Sequence, residues 1–142
     1  MIYYVEDDTN IRDLTVYALK QAGFEAAGFP AAGEFFAACK ERLPELVLLH
    51  IMLPLNLETG RKSPLKYADT GIRETLREME RRGAKRARVT AKIAGGARMF
   101  EVAGGGNLGN IGQRNIESVH MTLRTEGVRL LQEDVGGTVA RT

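Results

Sequence analysis

Cysteine is almost missing from this chain: of 142 residues, only Cys39 carries a thiol. One thiol excludes an intramolecular disulfide and any cysteine-built metal cluster. Histidine is nearly as scarce, with His50 and His120 alone, so no paired ligand spacing points to structural zinc. No apolar run approaches the ~20 residues of a membrane-spanning helix, so no membrane insertion is expected. The start, Met1-Ile2-Tyr3-Tyr4-Val5-Glu6, turns acidic at once, unlike the basic opening of a secretory leader. A cytoplasmic protein is the expectation. Internal repeats and low-complexity tracts are also lacking.

What is present fits one globular domain. Hydrophobic residues make up 44% and charged residues 27%, which places the chain among ordinary folded proteins. The net charge of +2 conceals an asymmetry. Residues 1–54 carry a net of −4, and residues 55–142 a net of +6. Such a split marks two surfaces or two origins.

Hydrophobic patterning predicts alternating strands and helices. Ile2–Val5 reads as a buried strand ending on Glu6-Asp7-Asp8. Thr9 or Asn10 is the expected cap of a helix whose inner face is Ile11, Leu14, Ala18 and Ala22, stopped by Gly23. A weak strand follows over Phe24–Gly28. A second helix runs from Ala32 to Arg42, with Phe36, Cys39 and Leu43 on one face. Glu45–Leu49 is nearly continuous apolar chain, which suits a central parallel strand covered on both faces and delivering His50 at its end.

Residues 55–66 lack a period and read as a loop. A helix from Asp69 or Thr70 to Gly83 should turn Ile72, Leu76 and Met79 inward. Alternation over Ala87–Ile93 predicts a half-buried strand, and glycine-rich chain fills 94–112. A helix from Gln113 to Glu126 and a strand over Val128–Asp134 complete the order. The fold class is α/β, layered αβα, with a parallel βαβαβ first half. Functional side chains in such sheets gather at the C-terminal strand ends, which places Glu6, Asp7, Asp8 and His50 together.

Two families are suggested by particular motifs. Ile2–Asp8, Asn10-Ile11-Arg12, Gly23-Phe24-Glu25 and Leu43–Leu49, continued by Met52-Leu53-Pro54, resemble the first half of a response-regulator receiver domain. That resemblance covers residues 2–54. It implies that Glu6 and Asp7 are the acidic pair of a residual Mg²⁺ site, which hard carboxylate oxygens suit. It also implies that His50 replaces the phosphoaccepting aspartate, so aspartyl-phosphate chemistry is lost.

Residues 50–138 resemble the chemoreceptor glutamine deamidase CheD, which divides the chain into a receiver-like half domain over 1–54 and a CheD-like portion over 55–142. The carriers are His50-Ile51-Met52-Leu53-Pro54, Lys66-Tyr67-Ala68-Asp69-Thr70, Ala91–Phe100, Asn110–Asn115 and Glu133–Gly137. This resemblance implies an αβαβ second half and hydrolysis of glutamine side-chain amides on chemoreceptors. It implies partnership with the CheC phosphatase, no required cofactor, and a catalytic trio of Cys, His and Thr. His50 stands at the histidine, the general base. The cysteine and threonine belong to a segment that the receiver-like half replaces. Cys39, inside an amphipathic helix, reads as packing, with a nucleophilic role the minor alternative.

Three functions follow in order: a CheD-like chemotaxis hydrolase, a non-phosphorylatable receiver-like binding module, and an inert hybrid of two α/β folds joined near His50. The pattern Gly104-x-Gly106-x-x-Gly109 does not join a strand directly to a helix and reads as a loop. The basic run Arg81–Arg88 lacks interleaved aromatics and reads as a solvated helix end, not a nucleic-acid site. His120 reads as a packed residue.

Overall fold

A computed structural model of the chain describes residues 1–53, 64–97 and 111–138. The glycine-rich Gly104–Gly109 pattern, Pro54 and most of the expected 55–66 loop lie outside the described residues. The elements run β1 (Ile2–Val5), α1 (Thr9–Gln21), β2 (Ala26–Phe29), α2 (Ala32–Glu41), β3 (Leu46–Leu49), α3 (Ala68–Arg81), β4 (Thr90–Gly95), α4 (Ile111–Thr125) and β5 (Arg129–Val135). Short 3-10 turns at Pro64–Lys66 and Arg86–Arg88 precede α3 and β4. The α/β class holds.

The strands form two sheets. In the first, order β2-β1-β3, both pairings are parallel, with Tyr4 opposite Gly28 and Leu48. β1 is the central strand, and all four of its residues are buried. β3 was expected at the centre, yet it lies at the edge of this sheet, and Leu46 is 48% exposed. Continuous apolarity signals burial on two faces. It does not distinguish the middle of a sheet from its margin.

Helices cover both faces of this sheet. Phe35 and Cys39 of α2 pack with Tyr3 and Val5, and Leu65 closes that core from the second half. Phe35, not the expected Phe36, is the fully buried anchor. Its ring meets Tyr3 and Phe29 edge-on at 6.2 and 6.1 Å. On the other face α1 crosses Gly28, where a Cβ would stand 2.7 Å from Arg12 Cγ. That close approach requires glycine.

The inner face of α1 differs from expectation. Ile11, Leu14 and Tyr17 are 46%, 69% and 61% exposed, while Arg12, Thr15, Val16 and Leu19 turn toward the sheet. Two candidate faces have helical spacing here, and docking over Gly28 selects the less apolar one. The cap is also different: Asp8, not Thr9 or Asn10, accepts from the amides of Asn10 and Ile11 at 2.9 and 3.0 Å. Its carboxylate thus answers two amides that lack partners at the helix start.

In the second sheet β4 and β5 are parallel, and α3 and α4 pack on it through Ile72, Leu76 and Leu123, with Val128 just before β5 in the same cluster. Ala91 and Ile93 point inward, in the phase the alternation predicts. Met79, expected inside, is only half-buried, whereas Thr75 and Glu78 are buried. The layering here is two-deep among the described residues, with helices on one face. Part of the basic run is consumed by folding: Arg86 pairs with Glu80 and Glu126, and Arg82 donates twice to Glu78, at 2.9 and 2.8 Å.

Candidate functional site

β1 and β3 run parallel and end together, so Glu6 and His50 emerge side by side. They line a small depression with Val5, Asp7, Pro30, Ala31, Ala32, Leu65 and Lys66. Of the four residues expected to gather, Glu6, Asp7 and His50 line it, whereas the Asp8 carboxylate caps α1. Residue types at parallel strand ends are brought together by topology alone.

Glu6 is buried, with its side chain 2% exposed, while His50 is 45% exposed. The carboxylate Oε2 faces His50 Nδ1 and also accepts from the Tyr4 hydroxyl at 3.1 Å. Its Oε1 accepts from the Asp8 amide at 3.0 Å. The Arg12 guanidinium donates to the carbonyls of Glu6 and Asp7 at 3.0 and 3.4 Å, holding the acidic turn from α1. Burial pushes the Tyr4 phenol above its ordinary value, so it remains a donor.

Asp7 is paired with the Lys66 ammonium, and the hydrogen bond from Lys66 holds its carboxyl below the usual range. The acidic pair therefore does not fit a Mg²⁺ ion. Glu6 is committed to His50, Tyr4 and the Asp8 amide, and a lysine already sits on Asp7. A divalent cation there would have to displace an ammonium. Among the described residues no set of three or more His, Cys, Asp or Glu side chains is placed to hold a metal.

Cys39 does not line the depression. It is 4% exposed, among Tyr3, Val5, Phe35 and Leu65. Burial pushes its thiol up, and the Glu78 charge adds to this against the opposing Arg82. A nucleophilic thiolate needs the opposite environment. His120 Nε2 lies 2.8 Å from Glu133 Oε2, linking α4 to β5, although the approach lacks hydrogen-bond geometry.

Two residues at the site carry no isolated sequence signal. Lys66 sits in the motif Lys66–Thr70, and Asn115 ends Asn110–Asn115. The Asn115 amide donates to the carbonyls of Ile51 and Met52 at 3.5 and 3.2 Å. The Lys66 carbonyl accepts from the amides of Met52 and Leu53 at 2.9 and 3.1 Å. The segment after His50 is thus held by both motifs. Their recurrence as a set was the available signal, since neither residue alone spells a site.

A family model described as "CheD chemotactic sensory transduction" matches residues 52–142, and His50 lies just before its first residue. The chemoreceptor glutamine deamidase CheD of Thermotoga maritima is 47% identical over 96 residues, covering 66% of this chain and 57% of that protein. The protein of the same name from Halalkalibacterium halodurans is 45% identical over 98 residues, covering 67% and 60%. A probable chemoreceptor glutamine deamidase CheD from Syntrophomonas wolfei is 44% identical over 96 residues, covering 67% and 60%. The chain therefore spans about three fifths of the length of these curated relatives.

Proposed function

The chain belongs to the CheD family, and from that premise we propose that it acts in cytoplasmic chemotaxis signalling on glutamine side chains of chemoreceptor helices. Deamidation of glutamine to glutamate is the reaction, with His50 as general base. The observation that carries this reading is the placement of His50. It is an accessible imidazole at a strand end, backed by a buried carboxylate and followed by a segment that two family motifs hold. A general base must be within reach of its proton and held in orientation. The excess of positive charge in the second half favours approach to an acidic receptor surface. CheC is a candidate partner on the family's account.

Cys39 does not act as nucleophile in this proposal, because its thiol is buried and pushed up. His50 Nε2 instead takes a proton from a water molecule as its oxygen adds to the amide carbon, and returns that proton to the nitrogen, which leaves as ammonia when the C–N bond breaks. The test is mass spectrometry of a receptor helical fragment incubated with the chain. Deamidation lost in His50→Ala and kept in Cys39→Ala supports the reading. Loss in Cys39→Ala with the fold intact would return the nucleophile to the thiol, and no deamidation by the wild type would remove the activity.

One observation favours a second reading. The parallel β2-β1-β3 order with an acidic turn after β1 supports a receiver-like first unit that binds partners without phosphorylation. With Glu6 and Asp7 both engaged, Mg²⁺ titration would leave the spectrum of this unit unchanged.

A further inference from the structure

The geometry points to Glu6 as the positioning residue of His50, a role supplied by the acidic first half to the histidine that precedes the family-matched region. This assignment rests on the reading of His50 as general base. A neutral imidazole carries its proton on one nitrogen, and the partner of the other ring atom decides which. Nδ1 faces the Glu6 carboxylate, which accepts hydrogen bonds and, when ionised, donates none. The proton therefore resides on Nδ1, and Nε2 keeps its lone pair. That is the form a general base needs.

The surroundings make the carboxylate a fixed one. Tyr4 Oη donates to Oε2, the same oxygen that His50 faces, and the Asp8 amide donates to Oε1. The neighbouring Asp7 is taken by Lys66 and does not compete for the imidazole. Arg12 holds the backbone of the turn through carbonyls and leaves the Glu6 carboxylate free for His50. The side chain of Glu6 is 2% exposed against 45% for His50, so the orienting group is dry and the ring is reachable. Cysteine-hydrolase arrangements also use a third group to orient the histidine. Here a carboxylate just after β1 stands in that place.

Nitrogen-15 spectra of the imidazoles in the full chain, recorded above the titration range of histidine, test this directly. His120→Gln assigns the two rings. The expected result is the Nδ1–H tautomer for His50, reverting in Glu6→Ala to the Nε2–H form that free histidine prefers, with His120 unmoved. A wild-type Nε2–H tautomer overturns the assignment, whether or not Glu6→Ala folds. So does an unchanged tautomer in a folded Glu6→Ala. If the wild type deamidates, Glu6→Gln should lower kcat on the order of tenfold or more with KM little changed. An Nδ1–H tautomer without deamidation would retire the deamidase reading and leave the role of Glu6 standing.

Discussion

Lys66 and Asp7 form an ion pair that joins the basic and acidic parts of the chain, fifty-nine residues apart in sequence. Lys66 leads into α3, and Asp7 ends the turn after β1. The pair brings the second half onto the strand ends of the first. Leu65, the preceding residue, completes the apolar core beneath it.

Lys66→Met should weaken that clasp without unfolding the protein. Both partners are partly exposed, so the loss should not exceed about 1 kcal/mol in urea denaturation. The pH dependence has a definite sign. The carboxyl of Asp7 is held low in the folded chain, so its contribution is full above the unfolded value, about 4. It is lost as pH falls through the folded value. Lys66→Met should flatten the stability profile in that acid range, and an unchanged profile would show that the pair does not contribute.

Phe35→Ala should cost about 3–5 kcal/mol, because it empties the fully buried centre of the first core. Phe36→Ala should cost clearly less, since Phe36 only flanks that cluster. Equal losses by chemical denaturation would contradict this placement of α2.

Gly28→Ala should destabilise by about 1–3 kcal/mol. The new methyl would meet Arg12 Cγ at 2.7 Å and Val16 Cγ2 at 3.0 Å. Because Arg12 also holds the carbonyls of Glu6 and Asp7, the amide resonances of that turn should shift. A stable variant with an unmoved turn would show that α1 does not approach β2 so closely.

Asn115→Ala should loosen the segment after His50 at a cost of about 1 kcal/mol. Hydrogen exchange should be faster at Met52 and Leu53, whose amides donate to the Lys66 carbonyl. Unchanged exchange at both amides would show that Lys66 holds the segment unaided.

Much of the fold was legible because burial leaves periodic marks. Alternation placed Ala91 and Ile93 on the inner face of β4. Glycines past the helix ends were equally readable: Gly23 and Gly83 have φ of +87° and +94°, which favour residues without Cβ. α1 was not legible, because Ile11, Leu14 and Ala18 share helical spacing with the less apolar set that docks. Nothing local states which face meets Gly28.

The α/β class, the acidic turn after β1, the histidine after β3 and the family of the second half are all written in the chain. Each is a local pattern or a motif order. It takes the packed fold to turn Glu6 inward to His50, to set Lys66 on Asp7, to bring Asn115 to the turn after His50, and to bury the single thiol away from the depression. Those relations depend on strand order and helix packing, which bring distant residues together through many weak contacts. No short stretch of sequence encodes such a meeting.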